Sequence, residues 1–298
     1  MHTPLPTILL LFTLLASTSQ AQTQLQYNLK IGDSIHVFQK ANQLITQDMD
    51  GSAHEMTNIV ESSFVFVVEK VTDSSYIFDF SYKDFKLKST SNLYGTLMSV
   101  DTSAPIQKDN MEALIFSGLT KSKLKIELLK TGDIIKVRGT TRMINNMMDR
   151  AGIKDEFTKQ VLIEEMKKDF GSKSLSDSFE QFTFIYPSKK VALGETWKNV
   201  YSGDLAAENT WTFKTASPQI TLLGTAKITL KTEEENYNML LKGLQNTNIT
   251  ADIKSGVVKT MTVTSKTQGN AVSLQNKEIK IPTSINSVTT YKTKLYVQ

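Results

Sequence analysis

The chain has 298 residues, 34 Lys and Arg against 30 Asp and Glu, a formal charge of +4, and no cysteine. So small a charge, with no run of like-charged residues long enough to suggest one, excludes a nucleic-acid surface or a polybasic membrane patch as its organising feature. The missing cysteine excludes disulfides, a cysteine-linked lipid anchor, thiolate catalysis and Cys-ligated zinc or iron–sulfur sites, while the length allows one large or two modest domains.

Taken in chain order, Met1–Ala21 reads as a secretory signal peptide. The apolar run Leu9–Ala16 is long enough for its hydrophobic region and too short to span a bilayer. Ser19-Gln20-Ala21 places small residues at −3 and −1, so cleavage is expected before Gln22. The leading segment has His2 but no Lys or Arg, and an uncleaved N-terminal anchor is the other reading. A periplasmic or extracellular protein with no membrane span after cleavage is expected. The predicted organisation is signal peptide 1–21, N-terminal β unit 22–140, helical insert and loop 141–180, and C-terminal β unit 181–298.

The first unit reads as β. Phe64–Val68 is a continuous apolar run suited to a central strand. Across the polar turn Thr72–Ser75 follows an alternation that puts Tyr76, Phe78, Phe80 and Tyr82 on one face. The phase flips at Asp84, since Phe85 and Leu87 are odd-numbered, and a bulge there would restore the buried face. Asp50-Gly51 predicts a tight turn, and His54 is placed in that polar loop as a solvated residue. A short helix is expected over Asn110–Ser117. Leu124–Leu128 and Ile135–Arg138 flank Lys130-Thr131-Gly132-Asp133 as a hairpin.

From Thr141 the strand rhythm stops. A helix is predicted over Arg142–Asp149, and a longer one where Phe157, Val161, Leu162, Met166 and Phe170 recur at helical spacing, stopped by Gly171. Ser172–Ser178 is polar and reads as a loop. Beyond it, Ala226–Leu230 and Tyr237–Leu241 flank Glu233–Asn236, Val257–Val263 follows the turn Lys254-Ser255-Gly256, and Thr283–Val297 is expected to form a closing strand pair. The fold class predicted is α+β and β-rich: two antiparallel, curved or barrel-like β units joined by a helical insert.

The two units echo one another. Leu29–Ile35 and Val191–Trp197 share the form apolar, any, apolar, Gly, acid, hydroxyl, apolar. Lys130-Thr131-Gly132 is matched by Lys254-Ser255-Gly256. A duplicated β unit and two independent strand starts both account for this. The phrases Tyr27–Ser34, Leu128–Gly139, Tyr186–Trp197 and Ala251–Lys259 together resemble an uncharacterised family of exported Bacteroidetes proteins, over most of Leu25–Tyr291. The resemblance implies no catalytic residue. Many members of that family are lipoproteins, and this chain lacks the cysteine they need.

Catalytic signatures are not found. There is no Gly-x-Ser-x-Gly elbow, no His-Glu-x-x-His, no phosphate loop and no dinucleotide fingerprint. His36, beside Val37 and Phe38, reads as a strand residue, and Asp48-Met49-Asp50-Gly51 fails the calcium-loop spacing. No cofactor and no metal are expected. Two apolar features stand out. The aromatic face Tyr76, Phe78, Phe80, Tyr82 could line a cavity, or pack against the inserted helix. The helical segment is rich in methionine, including Met147 and Met166, which suits an ordinary core and also an adaptable apolar groove. With Phe157 on the same insert, these residues form the candidate ligand site. The expected function is non-enzymatic binding of a lipid or other apolar small molecule. A cell-envelope scaffold with a protein partner, or a hydrolase with a site assembled from scattered residues, are the alternatives; no nucleic acid is expected.

Overall fold

The computed structural model describes residues 22–107, 109–233 and 236–298. The predicted signal peptide, and Glu234 and Glu235 of the predicted hairpin tip, lie outside them. The first unit contains β1 (Ser34–Met49), β2 (Ser52–Val71), β3 (Ser75–Ser91), β4 (Gly95–Asp101), α1 (Met111–Thr120), β5 (Leu124–Leu129) and β6 (Ile134–Arg138). The helical insert comprises α2 (Thr140–Arg150), α3 (Glu156–Phe170) and α4 (Ser172–Thr183). The second unit contains β7 (Thr196–Tyr201), β8 (Leu205–Thr215), β9 (Ile220–Glu233), β10 (Tyr237–Ala251), β11 (Val258–Ser273) and β12 (Lys280–Tyr296).

The β-rich α+β fold with a helical insert is as predicted, and the two units prove to share one antiparallel sheet. Its order is β6-β5-β3-β2-β1-β12-β11-β10-β9-β8-β7, with β4 beside the distal half of β3. The units join where β1 pairs with β12, from Ser34 opposite Tyr296 to Gln47 opposite Thr283. The closing segment is therefore one long strand, not a strand pair. The phase flip near Asp84 is a register shift on β3, where Ser63 faces Asp84 but Phe64 faces Tyr82. The extra residue, Lys83, returns Phe85 to the face that carries Phe80.

Side-chain alternation gives the sheet two unlike faces. The inner face carries Ile35 and Val37, Phe64, Phe66 and Val68, Tyr76, Phe78 and Phe80, and from the second unit Trp211, Phe213, Leu222, Ile249 and Met261, all in one buried cluster. Further along the strands, the same face carries a polar row across the sheet. Ser89 Oγ donates to Asn58 Oδ1 (2.7 Å), Asn58 Nδ2 donates to Gln43 Oε1 (3.0 Å), and the row continues through the Ser265–Ser287 hydroxyl pair (2.8 Å).

The sheet does not close: its strand order ends at β6 and at β7. α4 packs against both of them. This corrects the expectation of a loop at Ser172–Ser178. Leu175, Phe179 and Phe182 fall on one helical stripe and are buried, while the serines that suggested a loop occupy the other positions. Burying two phenylalanines supplies about 3–6 kcal/mol, enough to override modest helix propensity. It is also α4, not α3, that covers the aromatic face. Phe179 lies 4.9 Å from Phe80 and 6.1 Å from Phe66, ring centre to ring centre. α3 packs outside α2 and α4 through Ile163, Leu162, Met166 and Phe170, and its Phe157 and Val161 point to solvent.

The sequence echoes have matching geometry. Gly32 and Gly194 both have positive φ, +90° and +85°. Their N–H groups donate to Val68 O and Phe213 O, 2.9 and 2.8 Å. The following acid accepts from the backbone three residues back in each case: Lys30 N to Asp33 Oδ2, and Ala192 N to Glu195 Oε2, both 2.8 Å.

Candidate functional site

The residues singled out from sequence are mostly packed. Tyr76, Phe78, Phe80 and Met147 are buried, and Tyr82 is half-buried against Phe64 and Phe80. Met147 seats against Gly118, where α1 and α2 cross closely. Met166 is half-buried on α3, and Phe157 is 79% exposed. The four aromatics and Met147 thus share the core, and Phe157 stands apart from them. Beside Phe66, Phe78 and Phe182 the remaining space is about 20 Å³. That is room for about one water and not for a lipid chain.

The large opening lies on the other face. A groove of about 900 Å³ crosses β1, β12, β11 and β10. Its lining alternates out of phase with the core: Asn42 and Leu44 on β1, Asn286 and Val288 on β12, Thr264, Lys266 and Gln268 on β11, and Lys242, Leu244 and Asn246 on β10. The register makes these residues neighbours. Leu44 faces Asn286, Asn286 faces Lys266, and Lys266 faces Leu244. A second concavity of about 590 Å³ over β7, β8 and β9 shares Leu244 and Asn246 with the first. One sequence signal could have pointed here. Leu44, Leu244 and Val288 are apolar residues on the polar phase of their strands, and Leu244 is 64% exposed.

Two other clusters bear on chemistry. Burial raises the Glu180 carboxyl to about 7, helped by the neighbouring Asp133 and opposed by a hydrogen bond from the Ile134 amide. Asp133 is raised too, first by burial, with a hydrogen bond to Glu180 acting against it. This half-buried pair fastens α4 to the β5–β6 hairpin. The second cluster is His54, buried on β2 with Nε2 2.9 Å from Ser91 Oγ, which corrects the solvated-turn reading. Asp50 and Gly51 make the turn themselves, and two residues of strand carry His54 back to the inner face. Ser91 Oγ also accepts from the amides of Leu93 and Tyr94, at 3.1 and 3.2 Å. Its surroundings are those of a turn cap. Among the described residues, no group of three or more His, Asp or Glu converges as a metal site. No helix among them is long and apolar enough to cross a membrane.

A family of unknown function, DUF6263, matches residues 73–258, well over half of the chain. The protein belongs to this family. No curated protein matches it. Among solved structures, lipovitellin, in a structure described by its lipid–protein interactions, is similar at 9% identity and a TM-score of 0.52, over 91% of this chain and 26% of that one. The chain therefore spans about a quarter of lipovitellin, and at this identity the likeness is one of fold. DynF, from the dynemicin biosynthesis pathway of Micromonospora chersina, aligns at 6% identity over 94% of this chain and 88% of its own, with a TM-score of 0.26. An outer membrane channel of Pseudomonas putida F1 aligns at 9% identity over 90% and 98%, with a TM-score of 0.21. The last two superpositions are too loose to bear on the fold.

Proposed function

We propose that this member of the family is a non-enzymatic binding protein, working outside the cytoplasm, that holds its ligand in the groove on the outer face of the sheet. The observation that carries the reading is the contrast between the two faces. The aromatic stripe is filled by α4, and the groove over β1, β12, β11 and β10 is open. The signal-like segment Met1–Ala21 supports export. The perturbed carboxyls Glu180 and Asp133 bind backbone and each other at a helix–hairpin junction, which is a structural use of them. An apolar ligand between the sheet and α4 would have to displace Phe179 and Phe182, so the surface site is preferred to interior carriage. An envelope protein partner would use the same outer face. The matched glycine turns and hairpins further support reading the two β units as copies of one ancestral unit.

The test is a methyl-resolved NMR titration of the mature protein with four probes: a short-chain phosphatidylcholine, a neutral oligosaccharide, an acidic oligosaccharide and an acidic peptide. Shifts at Leu44, Leu244 and Val288 with any probe are the expected result. Shifts confined to interior methyls such as Leu124 and Leu222 would place the ligand inside, and no shift with any probe would sink the groove as a site.

A further inference from the structure

We propose that the groove takes an anionic polysaccharide, a hydroxyl-rich chain bearing carboxylate or sulfate groups. This rests on the groove being the binding site and names its ligand class. Charge is the first argument. Lys242 and Lys266 line the groove, no carboxylate does, and neither ammonium has an ion-pair partner among the described residues. The adjoining concavity adds Lys198 and Lys227 against the single acid Glu208. Uncancelled positive charge in a concave site raises the local concentration of a polyanion.

Hydrogen-bonding capacity is the second. The amides of Asn42, Asn246 and Asn286 make no side-chain hydrogen bond with the protein among the described residues. Each offers a donor and an acceptor together, the pairing that vicinal sugar hydroxyls satisfy. Leu244 and Val288 between them present apolar surface suited to the C–H faces of a sugar ring.

Backbone pairing is the third. β12, β11 and β10 are interior strands whose ladders are paired on both sides. A peptide gains much of its affinity by adding a strand at a free sheet edge, and the floor of this groove has none. No aromatic side chain lines the groove, so the stacking that holds single-stranded nucleic acid is missing as well. The track from β1 to β7 crosses six strand spacings, ~29 Å. That length suits an extended chain better than a compact small molecule.

The experiment is affinity electrophoresis of the full mature protein through polygalacturonate, dextran and poly-glutamate, at low and at physiological salt. Retardation by polygalacturonate that weakens with salt, with none by dextran, is expected. The double variant Lys242→Glu/Lys266→Glu should lose about tenfold or more in affinity, since two charge-assisted contacts become repulsions. Lys88→Glu, outside the groove, should bind as the parent does and shows that net charge alone is not being read. Equal retardation by poly-glutamate, or unchanged binding by the double variant, would overturn the proposal. If the groove methyls still shift with another probe, the site survives and only its ligand class is lost; if none shift, the site itself is lost.

Discussion

Tyr27 and Tyr186 meet edge to face in the core, with ring centres 5.2 Å apart and planes at 76°. Each comes from the segment that leads into one β unit, and each hydroxyl is spent elsewhere. Tyr27 donates to the carbonyl of Thr183 at the end of α4 (3.0 Å), and Tyr186 donates to the carbonyl of Gly256 in the β10–β11 turn. The main chain repeats the exchange. Tyr27 N donates to Lys130 O, Asn28 N to Ser255 O, and Tyr186 N to Thr131 O. The leading segment of each unit is thereby tied to the glycine hairpin of the other and to its own as well. These bonds link the two units.

Removing one of these hydroxyls should therefore be felt globally. Tyr186→Phe keeps the ring contact and leaves the Gly256 carbonyl without its buried donor. A loss of about 1–3 kcal/mol is expected, measured as a lower urea midpoint with an unchanged slope. A change in slope would mean that the two units had uncoupled.

The glycine turns predict a contrast. Gly132 has φ +96°, and a Cβ there would run into the Thr183 carbonyl oxygen. Gly194 has φ +85° but nothing within 4 Å of the same position. Gly194→Ala should cost the left-handed conformation alone, about 1–2 kcal/mol. Gly132→Ala must also push α4 off the hairpin and should cost more than about 3 kcal/mol in the same denaturation experiment. Equal losses would show that the hairpin does not bear on α4.

The helix that covers the aromatic face can be identified by truncation. Phe179→Ala should destabilise by about 3–5 kcal/mol, because it opens a cavity against Phe64, Phe66 and Phe80. Phe157→Ser on the exposed side of α3 should change stability by no more than about 0.5 kcal/mol. Thermal melts of the two variants suffice, and the reverse ranking would restore α3 as the cover.

Glu180 gives the pH dependence. Its carboxyl titrates at about 7 in the folded protein, above the ordinary value of 4.5. The folded state thus holds a proton that the unfolded state releases, and Asp133 is shifted in the same direction. The resulting stability is fully present below the ordinary carboxylate value and is lost as pH rises through about 7. The site is half-buried, so solvent screening reduces the effect to about 1 kcal/mol between pH 5 and pH 8. Glu180→Gln keeps an acceptor for the Ile134 amide and should flatten that slope. An unaltered pH profile for the variant would place the titration elsewhere.

By itself the sequence determined what is local. The alternation Tyr76–Tyr82, the bulge before Phe85, the Asp50-Gly51, Thr131-Gly132 and Ser255-Gly256 turns, and the helical periodicity before Gly171 are each set by a few adjacent residues and their backbone preferences. The tertiary structure alone decided three things. It paired Ser34 with Tyr296 across nearly the whole chain, a register that no local pattern encodes. It made a helix of Ser172–Thr183, because only contact with Phe64 and Phe80 rewards burying Phe179 and Phe182. It also placed the large opening on the polar face, because filling the inner face with α4 left the concavity to the outer rows, where Lys242 and Lys266 come together from strands separated by a turn in sequence but adjacent in the sheet.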